Sequence, residues 1–428
     1  MTALIITIFI IGYAAIAMEH TVKINKAATA LVTGVLCWTV YIISAENKEV
    51  VTGQLSAHLG DLSQILFFLL GAMTIVELMD AHDGFDIITK RIKTTKKTKL
   101  ALIIAFLSFF LSAILDNLTT TIVMVSLVRK LVAKDEDRWK LAGLIIIAAN
   151  AGGAWSPIGD VTTTMLWIGN QITAANIVLK LFIPSLVCLL VPLLIMRFTF
   201  KGDVVKPYPP KELPGETRTP PREKKIVFFT GIFFLLMVPV YKTLTHLPPF
   251  MGMMIALGLM WIITEMIHAG KDEEDRKHFT VAYALRKVDI SSIPFCPGIL
   301  LAISALESTE QLNHLAGWMD ANLKDKNIIA PGIGALSAVV DNVPLVAATQ
   351  GMYSLTEYPT DHYLWEFLAY TTGTGGSMLI IGSAAGVAAM GLEKISFMWY
   401  LKKVGWLALV GFAAGAVVYI LQHELLGV

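Results

Sequence analysis

Two short polar interruptions in apolar sequence limit what this chain can become. The first is Leu115-Asp116-Asn117-Leu118-Thr119-Thr120-Thr121, and a near copy, Val340-Asp341-Asn342-Val343-Pro344, stands in the second half. On either side of the first lie apolar arms, Leu100 to Ile114 and Ile122 to Val132. Each is shorter than the about 20 residues that a bilayer-crossing helix needs. Lys96, Lys97 and Lys99 precede the arms and Arg129, Lys130 and Lys134 follow them. The positive-inside rule therefore puts both outer ends on the cytoplasmic side and predicts a re-entrant hairpin over residues 100–133. A carboxylate at the centre of a helix in lipid costs about 2.5 kcal/mol or more, so such a tip is expected to face a cavity and bind something there. A polar turn at the membrane surface would explain one Asp-Asn pair, but not its repetition.

Hydrophobic residues make up 55% of the sequence and charged residues 16%, the composition of a polytopic membrane protein. The stretch from Ala3 to Met18 has no basic residue before it and no small-residue cleavage pattern, which predicts a retained span. Cys37, Cys188 and Cys296 are odd in number and far apart, so they offer neither a disulfide framework nor a metal cluster. The sequence has no nucleophilic triad, P-loop or nucleic-acid motif. It reads as no enzyme, with no nucleic-acid partner and no resident cofactor.

About ten apolar stretches suit spans, among them 62–79, 140–172, 292–318 and 364–391. The Pro- and charge-rich stretch from Lys201 to Lys225 reads as a cytoplasmic linker. The chain then divides into a first repeat, 1–198, with its hairpin at 100–133; a linker, 199–225; and a second repeat, 226–428, with a hairpin at 328–356. Five spans in each half would turn the second upside down relative to the first, an inverted repeat. With the amino terminus outside, every Lys and Arg except Lys48, Lys180, Lys242, Lys324 and Lys326 falls in a cytoplasmic segment. The segments from Ala45 to Asp61 and from Glu357 to His362 are then extracytoplasmic loops. The expected fold is an all-α polytopic membrane protein with two re-entrant hairpins and two discontinuous helices.

The discontinuous helices are expected where glycines cluster. Gly152, Gly153 and Gly159 align with Gly375, Gly376 and Gly382, and Asp160 aligns with Ser383. With Pro157, these glycines should unwind the helix and turn carbonyl oxygens into a cavity; close helix packing is the plainer use of Gly-Gly. The polar groups at these four places are carboxylates (Asp116, Asp160, Asp341), amides (Asn117, Asn150, Asn342) and hydroxyls (Thr119, Thr163, Thr374, Ser383). An all-oxygen set suits a small hard cation, sodium or lithium. Asp116, Asp160 and Asp341 are also candidates to carry a proton, as are Glu77 and Glu307 ahead of the two hairpins. Glu77, beside Asp80, could equally be an interfacial residue. If Asp116 and Asp160 share one dry cavity, they should not both ionise easily without a cation between them.

The Asp116-Asn117 and Asp341-Asn342 hairpins, the run from Gly152 to Thr163 and Pro248-Pro249-Phe250-Met251-Gly252 resemble the NhaD-type sodium/proton antiporters. That family belongs to the ion transporter superfamily, with the sodium-coupled dicarboxylate carriers and the arsenite pumps. The similarity covers nearly the whole chain. It implies a multi-pass protein of the cytoplasmic membrane, in contact with the lipid bilayer, whose transport domain of hairpins and broken helices moves against a dimerising scaffold in an elevator-like cycle. It further implies exchange of Na+ or Li+ for H+. The carboxylate carriers have Ser-Asn-Thr at the tips where this chain has Asp116-Asn117 and Asp341-Asn342, and a carboxylate can hold a sodium ion or a proton but not both. A sodium-coupled symporter of an organic anion is the alternative, although no Arg or Lys lies within the broken segments to pair with such a substrate.

Overall fold

In the computed structural model, residues 2–17, 24–89, 91–205, 219–272, 276–287, 292–323, 325–339 and 342–426 are described. The fold is helical; among the described residues, the strand geometry is one isolated bridge between Lys96 and Asp203. The first half runs α1 (Thr2–Ala17), α2 (Lys26–Ser44), α3 (Lys48–Ala81), α4 (Lys97–Leu115), α5 (Asn117–Leu131), α6 (Asp135–Ala154), α7 (Val161–Ile168) and α8 (Ala174–Thr199). The second runs α9 (Pro221–Thr245), α10 (Pro249–His268), α11 (Ser292–Ser308), α12 (Gln311–Leu323), α13 (Lys326–Leu336), α14 (Asn342–Met352), α15 (Tyr363–Gly375), α16 (Ala384–Glu393) and α17 (Trp406–Leu426). A short helix, Phe397–Tyr400, and one π turn lead into α17.

Among the described residues, seven helices are long and apolar enough to cross a membrane: α2, α3, α4, α8, α9, α10 and the segment ending in α17. Leu179, Phe198, Leu244 and Met266 stand exposed on them, a surface that lipid covers without cost and water does not. The protein is a multi-pass membrane protein.

Small residues set the closest helix contacts. In the packing of α2 on α11, a Cβ on Gly34 would come within 2.6 Å of the Gly298 carbonyl oxygen, and one on Gly298 within 2.5 Å of the Leu31 nitrogen. Backbones that near exclude any larger side chain. On the other side, α4 to α8 and α13 to α17 interlock, with α16 against α5 and α6 and α14 against α7.

Several boundaries differ from the sequence reading. The expected loop from Ala45 to Asp61 is helix from Lys48 onward. Asn47 caps it by accepting from the Glu49 and Val50 amides, and α3 then runs 34 residues without a proline. At 1.5 Å per residue that is about 50 Å, longer than the hydrocarbon core is thick. The first arm of the hairpin, α4, has 19 residues and is by length and composition itself able to cross. The stretch 292–318 is two helices, because the chain turns at Glu310, whose φ is 62°. Of the expected linker, residues 206–218 lie outside the described residues, and α9 already begins at Pro221. Its first part is pinned under the hairpin: the Lys97 amide donates to Gly202 O at 2.9 Å, and the Ala133 amide to Val205 O at 2.8 Å.

Candidate functional site

The site is assembled at helix ends. At the first Asp-Asn pair α4 stops and α5 starts, with Asp116 between them at φ 102° and ψ 162°. That backbone disfavours any residue with a Cβ, at a cost on the order of 1–3 kcal/mol, and capping offsets it. The Asp116 carboxylate accepts from the Thr119 amide at 2.8 Å and from the Thr119 hydroxyl at 2.8 Å. Asn117 is thereby the first residue of α5, buried, with its amide turned inward.

The break between α6 and α7 spans Trp155 to Asp160. Gly152 and Gly153 stay helical and serve contact: a Cβ on Gly152 would lie 2.1 Å from Phe109 O, and one on Gly153 2.4 Å from Gly159 O. The second break repeats this, with Gly375 against Gly334 O at 2.0 Å and Gly376 against Gly382 O at 2.6 Å. Two carbonyl oxygens at the first break are engaged. Pro157 O accepts from the Thr164 hydroxyl at 3.0 Å, and Gly153 O from the Ser156 amide. Asp160 and Ser383 occupy the same place, each capping the next helix by accepting from the Thr162 and Gly386 amides respectively.

Side chains from both halves meet at Asp160. One carboxylate oxygen accepts from Asn117 Nδ2 at 2.5 Å; the other accepts from the Thr162 amide and hydroxyl, both at 2.9 Å, and from Asn342 Nδ2 at 3.4 Å. Asn117 Nδ2 also donates to Asn150 Oδ1 at 3.1 Å, and Asn150 Nδ2 donates across to Ser377 Oγ at 2.9 Å and Ser383 Oγ at 3.0 Å. Asn117, Asn150, Asp160, Asn342 and Ser383 are all buried. Beside this network lies a cavity of about 90 Å³ lined by Asp116, Asn117, Asp160, Thr164 and Asn342, with Lys26 at its edge.

Of the expected site residues, Asn117, Asn150, Asp160, Asn342 and Ser383 thus form one hydrogen-bonded group, and Asp116 faces the same cavity. Asp341 lies outside the described residues. The hydroxyls of Thr163 and Thr374 donate within their own helices, to Asp160 O and Tyr370 O, and that of Thr119 donates to Asp116. Glu77 pairs with Lys287 at 3.3 Å away from the cavity, and Glu307 stands exposed in a separate chamber. Sequence reasoning missed Ser377, Thr162 and Thr164. The two threonines continue the glycine-rich motif, whereas Ser377 aligns with Ala154, so matching one half to the other hides it.

This arrangement, a buried carboxylate met by amides at the ends of broken helices in a multi-pass protein, is that of a carrier of small polar solutes or ions. The citrate transporter family matches residues 13–373. The sodium/proton antiporter 1 of Arabidopsis thaliana is 49% identical over 98% of this chain and 72% of its own length. The Na+/H+ antiporter NhaD of Alkalimonas amylolytica is 30% identical over 97% of this chain and 89% of its own. That of Vibrio cholerae is 29% identical over 97% and 91%. The chain belongs to this transporter family and, within it, to the NhaD-type antiporters.

Proposed function

We propose that the protein exchanges sodium, and lithium, for protons across a cytoplasmic membrane, with Asp160 at the centre of the cation site. The observation that carries this reading is the convergence of Asn117 and Asn342, one from each Asp-Asn motif, on the Asp160 carboxylate in a cavity of about 90 Å³. Two amide N–H groups occupy the side of the carboxylate where a cation would sit. An arriving sodium ion displaces them and takes carboxylate, amide and hydroxyl oxygens as ligands. A proton on the same carboxylates removes the charge that holds the ion, so the two cargoes compete for one site and move in opposite directions.

The helix ends favour a cation over an organic anion. Helix N-termini attract anions, but those of α5 and α7 already hold carboxylates of this chain, Asp116 and Asp160. One observation keeps the symporter reading alive: Lys26, whose ammonium lies 4.5 Å from the Phe295 ring centre, borders the cavity. In our reading α4–α5 and α13–α14 are re-entrant hairpins of an inverted repeat, 1–198 and 226–428, joined by the linker 199–225. The interlocked group moves, elevator-like, against a scaffold built on α2, α3 and α11 that forms the homodimer. The test is transport in proteoliposomes with an imposed pH gradient, adding sodium, lithium, potassium and succinate in turn. Gradient dissipation by sodium and lithium supports exchange; succinate-dependent sodium uptake sinks it.

A further inference from the structure

A second cavity, of about 580 Å³, lies beside the first and is polar where the first is mostly apolar. The two share wall-forming helices. On α3, Ile65 lines the large chamber and Leu66 the small one; on α7, Met165 and Thr164 divide in the same way; on α14, Ala347 and Val343 do. The large chamber, about 580 Å³ against about 90 Å³, has room for many more waters than the small one. An ion can therefore keep more of its hydration shell in the large chamber than in the small one.

Resting on the sodium-exchange reading, we propose that the large chamber is the antechamber of the cation path and that Glu307 is the carboxylate that captures the hydrated ion there. Glu307 is exposed on the chamber wall formed by α11. Its carboxyl carbon lies 3.2 Å from where a Cβ on Gly351 would stand, so the glycine of α14 leaves the room that the carboxylate uses. The cation in the same chamber, Lys242, is turned to its wall. Its ammonium donates to Trp167 O at 2.8 Å and Asn170 Oδ1 at 3.4 Å and lies 4.8 Å from the Trp167 ring centre, held against the carboxyl end of α7. His58 is likewise engaged, with Ser308 Oγ at 3.0 Å. A fixed negative charge at the mouth of a narrow path raises the local cation concentration and the rate of entry, and salt screens the effect.

The experiment is sodium-driven proton movement in proteoliposomes of known sidedness, with sodium presented to one face at a time at low ionic strength. Glu307→Gln should raise the half-saturating sodium concentration roughly three- to tenfold from the chamber side, with the effect in half-saturation rather than in maximal rate. The shift should be absent from the opposite side and shrink when choline chloride is added. Glu307→Asp should recover most of it, and Gly351→Ala, whose added Cβ would meet Leu312 Cδ1 at 2.8 Å and the Glu307 carboxyl carbon at 3.2 Å, should reproduce part. An unchanged half-saturation from the chamber side, or an equal loss of maximal rate from both sides, overturns the antechamber. Parent protein without sodium-dependent proton movement in the same vesicles overturns the exchange reading itself.

Discussion

At the residue scale, the account rests on Asp160 and the amides aimed at it. Asp160→Asn keeps the shape and the helix cap but removes the charge that two amides and a hydroxyl address. A charge-assisted hydrogen bond is worth about 1.5–3 kcal/mol, so the apparent sodium affinity should fall more than about tenfold. Sodium-dependent proton movement by folded, correctly sized variant protein measures this, and near-parental exchange would leave Asp160 as a helix cap alone. Gly152 tests the packing side of the same motif. With Phe109 O 2.1 Å from the added Cβ, Gly152→Ala forces α6 away from α4, and overpacking of that kind costs about 1–3 kcal/mol. A thermal melt of the detergent-solubilised protein should fall accordingly, whereas Gly53→Ala, with open space at its Cβ, should not lower it.

At the scale of elements, two polar contacts fix helix ends. The buried Glu393 carboxylate at the end of α16 accepts from Arg129 of α5 at 2.6 Å and from Arg138 of α6 at 2.9 Å. Replacing both arginines by alanine strands a buried charge, and about 3–5 kcal/mol of stability should be lost. Just beyond α3, buried His82 donates from Nδ1 to Leu78 O at 2.7 Å and meets His268 Nε2 of α10 at 2.9 Å, with Phe279 stacked on His268 and the Glu223–Lys271 pair nearby. Burial pushes the His82 imidazole down to about 4. Its neutral form therefore contributes stability that is whole above the ordinary histidine range and is lost as pH falls through that range toward the folded value. The protein should lose about 2 kcal/mol from this group on going from neutral pH to pH 5, and His82→Gln should flatten that acid limb. An equally steep acid limb in the variant would assign it elsewhere.

The legibility of these elements divides along physical lines. The first Asp-Asn pair marks where one helix stops and the next starts, because a carboxylate that caps the following helix is a local feature that sequence displays. The places of Asp160 and Ser383 at matching helix starts follow from the aligned glycines for the same reason. What depends on long-range packing was hidden. Asn150 bonds across to Ser377 and Ser383, Glu307 turns into a chamber rather than the site, and residues 48–61 join a helix whose apolar pattern is too weak to announce it. Thr163 and Thr374 were readable as polar residues by type, but the carbonyls to which their hydroxyls donate, Asp160 O and Tyr370 O, were not.

At the scale of the whole molecule, the distribution of Lys and Arg predicts that the bridged Thr95–Lys97 and Gly202–Val204 segment faces the cytoplasm and that Leu247, between α9 and α10, lies outside. In a cysteine-free background, Leu247→Cys should react with an impermeant thiol reagent in intact cells and Lys201→Cys should not; the reverse pattern would invert the molecule. The central claim is that the carboxylates of one site, with Asp160 at its centre, hold either sodium or protons. Its most direct measurement is proton release on sodium binding by purified, weakly buffered protein, with no membrane gradient. The account predicts that saturating sodium releases protons from the parent, that lithium does the same and potassium does not, and that Asp160→Asn releases few or none. Saturable sodium binding without proton release would contradict it.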